Sequence, residues 1–306
     1  VIGSTHSAET APRRRSVHFV PGGNDRFLAK ALASDADTLV LDLEDSVPPD
    51  RKDTARSAVV DWLGGIDAGG KELMVRINGV DTPWAAADVG GVVPAGARSL
   101  MVPKVDGAAE LRALDEHVDP CDPEVAVSYF PVATETPAGV FGLPELGRHP
   151  RVDGLCWGAE DLSAALGGGP ARDGAGHLLP VYVTVRSWCL LGAAAGGIQA
   201  VDAVFTDLGD RDGLRREAEE AAAMGYAGKI TIHPDQIDVV NEAFTPTDEE
   251  VAGANALLAA FEANRAEGRY AFTFEGQMVD APHLTRARRL LARAGIDPDR
   301  PGGNRP

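Results

Sequence analysis

Short apolar, β-branched runs recur along the chain: "SVHFV" at 16–20, "TLVLDL" at 38–43, "LMVRIN" at 73–78 and "SLMVPK" at 99–104. The series continues with "VAVSYFPVA" at 125–133, "VDGLCWG" at 152–158, "AVDAVFTD" at 200–207 and "GKITIHP" at 228–234. Runs of this length between turn residues read as buried strands. Helix-like segments at 24–34, 51–63, 106–117, 180–195 and 211–224 separate most of them. In the last, Leu214, Ala218, Ala221 and Ala222 share one face among charged residues, as in an amphipathic helix. Strand–helix alternation predicts a parallel sheet with crossovers, and eight such strands predict closure into a (β/α)₈ TIM barrel.

The pattern changes after "NEAFTPTDEEV" at 241–251. Thr247 with Glu250 three residues on is a capping-box start, which predicts a helix running to about Arg265. A second helix closes "RYAFTFEGQMVDAPHLTRARRLLARAG". The predicted organisation is a flexible tail at 1–15, a barrel at 16–245, and a C-terminal helical lid or arm at 246–306 serving a neighbouring subunit. Arg13, Arg14 and Arg15 read as a solvated stretch, and "DPDRPGGNRP" as a mobile tail.

Composition narrows the function. A net charge of −17 argues against a general nucleic-acid or anionic-membrane binder, so a phosphate-bearing ligand needs a local basic patch. Cys121, Cys156 and Cys189 are widely spaced and odd in number, which predicts inert thiols in a reducing, cytoplasmic setting. No apolar run reaches the roughly 18 residues of a membrane span, and the first residues lack signal-peptide order. No G-x-G-x-x-G follows a strand, and "GGGP" at 167–170 lacks the remainder of a phosphate loop.

In a barrel, chemistry gathers at the C-terminal ends of the strands. Those ends read "DLED", "RIN", "PK", "ATET", "WGAED", "TD" and "IHP", an oxygen-rich set suited to Mg²⁺ or Mn²⁺ rather than zinc. Glu135 and Asp161, one strand–helix unit apart, are expected side by side as carboxylates for one metal; the competing reading is that each caps the helix that follows. Arg76 can grip a substrate carboxylate through two hydrogen bonds, or pair with the "DLED" acids. Lys104 could form a Schiff base, but the surrounding acids favour an ion pair. His233 reads as a rim or core histidine.

Eight motifs in order resemble the citrate lyase β-subunit-like group of the HpcH/HpaI aldolase superfamily. They are "VPGGNDRFLAKALASDADTLVLDLEDSVPPDRKDTAR", "VRIN", "MVPKV", "ETPAG", "WGAEDLSAALGG", "AAAGGIQAVDAVFTDLGD", "GYAGKITIHPDQI" and "GQMVDAPHL". The resemblance implies a TIM barrel that binds Mg²⁺ and cleaves or forms a carbon–carbon bond beside a thioester. It implies Glu135 and Asp161 as metal ligands and Arg76 as the holder of the 2-oxo acid carboxylate. It further implies Arg26 and Lys30 at CoA phosphates, and Asp280 as general acid/base in a neighbour's site. The C-terminal arm suggests a homo-oligomer, with trimer and hexamer both open.

Alternation along "LVLDLEDSV" would put Asp42 and Glu44 on one face and Asp45 on the other, so the three do not share one ion. Glu44 and Asp45 are then expected to support the metal from behind by holding its water and orienting Arg76 or Lys104. The expected substrate is a malyl- or citramalyl-CoA-like thioester, split into a 2-oxo acid and an acyl-CoA. The absence of an acyl-carrier segment points to a freestanding enzyme rather than a complex subunit. The alternatives are a thioesterase using the same metal, a citryl-thioester lyase and a noncatalytic acyl-CoA-binding protein.

Overall fold

The computed structural model describes residues 12–124 and 126–297. The tail expected at 1–15 therefore lies outside the described residues as far as Ala11, and the C-terminal tail does so from Pro298. Eight strands are parallel: β1 (Ser16–Pro21), β2 (Thr38–Asp42), β3 (Glu72–Arg76), β4 (Ser99–Val102), β5 (Ser128–Pro131), β6 (Gly154–Cys156), β7 (Gln199–Asp202) and β8 (Gly228–Thr231). Their ladder runs β5-β4-β3-β2-β1-β8-β7-β6. Single bridges Tyr129↔Val152 and Val132↔Cys156 join its two ends, so the barrel is nearly closed.

Every strand except β1 ends before its apolar run does, because the chain leaves the ladder there to form the loops of the C-terminal face. The barrel interior takes one residue from each strand: Val17, Val40, Met74, Met101, Phe130, Cys156, Val201 and Ile230. This is a packed core and not a pore. Burial raises the Cys156 and Cys189 thiols well above their ordinary range, as inert cysteines require, whereas Cys121 is only partly buried.

The five predicted helices form at Asp25–Leu32, Lys52–Gly65, Ala108–Val118, Pro180–Gly196 and Arg211–Met224. Four more lie at Ala85–Val92, Pro137–Leu146, Glu160–Leu166 and Ile237–Phe244. They escape the periodicity because they are short and, in the first two, rich in Gly, Pro and Ala, with little amphipathic contrast.

The solvated reading of Arg14 is wrong. Arg14 is 1% exposed at the floor of the barrel, where its guanidinium donates to Glu72 at 2.7 and 2.8 Å and to Asp153 at 2.8 and 3.1 Å. It also covers the Phe130 ring. Gly228 permits the approach, since a Cβ there would lie 1.8 Å from the Arg14 carbonyl oxygen. Arg15 pairs with Asp37 at 2.8 Å. Three adjacent cations look like a solvated run, but acids from the starts of β3 and β6 draw one of them inside.

The chain divides after Glu242 into two compact units. The second holds a helix at Asp248–Ala266, a hairpin of β9 (Phe272–Phe274) and β10 (Gln277–Val279), and a helix at Ala281–Arg293. Thr247 and Glu250 form the predicted capping box. Leu258, Phe261, Leu284 and Leu291 are among the residues packing its own small core. Among the described residues no helix is long and apolar enough to cross a membrane.

Candidate active site

At the C-terminal face, Asp42 organises the end of β2. One carboxylate oxygen accepts the Glu44 N–H at 2.9 Å and the other accepts the Ser46 N–H at 3.1 Å, which turns the chain out of the strand. β2 and β3 place Asp42 opposite Arg76 in register. The Arg76 guanidinium therefore donates to Asp42 through Nε at 2.6 Å and Nη2 at 2.8 Å, a two-pronged pair. Its Nη1 lies 3.0 Å from Glu44 and 3.9 Å from Asp45, and the group stacks on Phe19. Burial would raise the Asp42 carboxyl, but Arg76 outweighs it and holds the group below the usual carboxylate range.

The alternation expected for the acids fails at Asp45. The strand ends at Asp42, so Asp45 turns back to the same partners as Glu44 instead of facing away. Lys104 Nζ donates to Glu44 and lies 3.5 Å from Asp45 and 3.6 Å from Asp161. Burial would lower the Lys104 ammonium, yet Glu44 outweighs it and raises the group above its ordinary value. That is the opposite of what a Schiff-base lysine needs.

Lys104 has a positive φ of 54°, uncommon for any residue but glycine. That conformation points its N–H at Glu135 Oε2, 2.7 Å away. Glu135 follows β5 and is 6% exposed. Burial raises its carboxyl to about 8, with Asp161 adding to the rise and the Lys104 N–H opposing it. A Cβ at Gly158 would sit 3.0 Å from Glu135 Cγ, so glycine is what admits the side chain. Asp161 stands in the first turn of Glu160–Leu166, not on a strand, and its side chain is 39% exposed.

The reading of both acids as helix caps does not hold. Thr136, not Glu135, caps Pro137–Leu146, and no side chain caps Glu160–Leu166. Two carboxylates thus meet one residue, Lys104, without a structural duty as caps: Glu135 at its backbone N–H and Asp161 near its ammonium. Among the described residues no group of three or more His, Cys, Asp or Glu gathers as a ready metal cage. The donor set is two carboxylates, and a buried Glu that burial and a neighbouring acid both keep from ionising fits a hard divalent cation.

Arg26 and Lys30 lie exposed on the helix after β1. In the second unit, Asp280 precedes Ala281–Arg293 and its Oδ1 lies 2.7 Å from His283 Nδ1. His233 is half-exposed and its Nδ1 accepts the Asp235 N–H at 3.3 Å. Sequence reading missed Lys52. Its Nζ donates to the Leu43 and Glu44 carbonyl oxygens at 2.8 and 2.9 Å and so holds the acid loop from below. A buried lysine in the first turn of a helix carries no local signal of its partner.

Residues 15–234 match the family model described as HpcH/HpaI aldolase/citrate lyase. The chain belongs to this family. A second model, a carbon–carbon bond lyase of the TIM-barrel fold, matches residues 184–297. The chain is 36% identical to a (3S)-malyl-CoA thioesterase of Cereibacter sphaeroides, covering 92% of this chain and 94% of that protein. It is also 36% identical to the mitochondrial citramalyl-CoA lyase of Rattus norvegicus, with 92% and 86% covered. Among solved structures it resembles the protein CitE of Mycobacterium tuberculosis in complex with magnesium, acetoacetate and coenzyme A. The TM-score is 0.79 at 38% identity, with 94% of this chain and 99% of that one covered.

Proposed function

We propose that this family member is a Mg²⁺-dependent carbon–carbon lyase acting on a 3-hydroxyacyl-CoA whose hydroxyl carbon also carries a carboxylate. The products are a 2-oxo acid and an acyl-CoA, as with malyl- or citramalyl-CoA. The observation that carries the reading is the pair Glu135 and Asp161, both free of capping duty and both directed at Lys104. The magnesium, acetoacetate and coenzyme A bound by the CitE relative support it.

Glu135 and Asp161 would hold the metal. When bound, Mg²⁺ supplies positive charge that acidifies the substrate hydroxyl and stabilises the carbonyl formed from it. Arg76, fixed by Asp42 and Glu44, would hold the substrate carboxylate. Glu44 and Asp45 hold Arg76 and Lys104 in place. Arg26 and Lys30 form the local basic pair for the CoA phosphates. Asp280 from a neighbouring copy, in a trimer or hexamer, protonates the thioester enolate after the bond breaks, and removes that proton in the reverse direction.

The test is a Mg²⁺-dependent assay of the purified protein on malyl-, methylmalyl-, citramalyl- and citryl-CoA with product identification. A 2-oxo acid plus acyl-CoA supports the lyase. A free hydroxy diacid plus CoA replaces it with the second reading, a thioesterase, which the malyl-CoA thioesterase relative favours. Inactivation by borohydride with substrate would transfer the chemistry to Lys104, and binding without turnover would leave a noncatalytic acyl-CoA-binding protein.

A further inference from the structure

Trp157 is the first residue after β6 and is 1% exposed. An indole body of this size could be replaced by another apolar group; its N–H cannot, because a buried donor needs an acceptor. That acceptor is Asp202 Oδ1 at 2.7 Å, on the last residue of β7. Asp202 is fully buried and accepts three further hydrogen bonds: Arg186 Nε and Nη2 at 3.0 Å each, and Lys229 Nζ at 2.8 Å. Burial would raise its carboxyl, and Lys229 and Arg186 together hold it low instead. Lys229 and Arg186 also reach Glu217 and Glu220, and Arg172 pairs with Glu217, so three cations meet three acids without the indole.

The indole bond therefore has another consequence. It orients Trp157, and the chain leaving Trp157 carries the acidic site. Gly158 comes next, packed on Glu135 Cγ, with its N–H donating to Thr134 Oγ1 at 3.3 Å. Two residues later begins the helix turn bearing Asp161. The Trp157 ring is thus anchored immediately before the segment that packs on Glu135 and carries Asp161.

We propose that Asp202, by fixing the Trp157 indole, is a positioning residue that sets the spacing of Glu135 and Asp161 for a divalent cation. The inference rests on the metal role assigned to those two carboxylates. Removing groups that orient metal ligands typically weakens metal binding about tenfold or more. Trp157→Phe keeps a buried aromatic group and loses the donor together with the fused five-membered ring that carries it. Its affinity for Mg²⁺ alone, measured by titration calorimetry without substrate, is expected to fall about tenfold with unaltered far-UV circular dichroism.

Arg186→Lys keeps a cation beside Asp202 and leaves the indole bond in place, and its Mg²⁺ affinity is expected to stay within about twofold of the unaltered protein's. Should Trp157→Phe fail to fold, Asp202→Glu, which retains the buried charge but displaces the acceptor, is read in the same way. Unchanged Mg²⁺ affinity in the folded variant, beside an unaltered protein that binds, overturns the positioning role alone; so does an equal loss in Arg186→Lys. An unaltered protein that binds no Mg²⁺ overturns the metal reading and this inference with it.

Discussion

Individual side chains in this site are defined by what they are not doing. Glu135 and Asp161 cap no helix, and Lys104 is held by acids in the charged state, which disfavours imine chemistry. Asp280 is 41% exposed, and its Oδ1 lies 2.7 Å from His283 Nδ1. Asp280→Asn keeps the shape of the side chain and removes its basicity. Turnover of the best CoA thioester should be lost while calorimetry still detects Mg²⁺ binding; near-full activity would remove Asp280 from the chemistry. Glu135, Asp161 and Arg76 could be named from strand ends and motifs. Asp42 as the clamp on Arg76 needed the β2–β3 register, and Asp45 was misplaced because alternation was extended past the end of the strand.

At the level of elements, the strands hold the site from one end and Arg14 holds them together at the other. Its guanidinium joins the start of β3 to the residue before β6, in a space closed by Phe130 and Gly154. Arg14→Met removes one partner of a buried pair and leaves Glu72 and Asp153 facing each other. The expected loss is about 3–5 kcal/mol, read as a lower urea midpoint with an unchanged slope. A smaller element, the β9–β10 hairpin, went unread although its turn residues are local. Glu275 and Gly276 both have positive φ, at 47° and 79°, the two-residue turn that matches strand twist. Glutamate is an unusual first residue for such a turn, and the strands on either side are three residues each.

For the whole molecule, stability should depend on pH through histidines that fold into the core uncharged. His18 is 4% exposed, its Nδ1 lies 2.9 Å from Thr231 Oγ1, and burial lowers the ring to about 4. The unfolded chain takes up that proton near pH ~6.5 while the folded chain resists it to about pH 4. Stability is therefore complete above the unfolded value and falls as pH drops between the two, by about 3 kcal/mol for this group. His149, also lowered by burial, acts in the same sense. Urea unfolding at pH 7 and pH 5 should show a larger difference for the unaltered protein than for His18→Gln; equal differences would remove His18 from the acid limb.

The order of strands, the barrel and the end at which polar residues gather were legible in the chain because each depends on local periodicity. A buried strand must be apolar along its length, and polar residues collect where it ends. That Arg76 and Lys104 meet acids was legible too, but which acid each takes, and the other pairings, were not. Arg14 with Glu72 and Asp153, Asp42 with Arg76, and Trp157 with Asp202 each join residues from different strand–helix units. Which acid meets which base is set by strand register and barrel closure, to within an ångström or two. Hydrogen bonds and ion pairs vary over that same distance, and no spacing along the sequence encodes it.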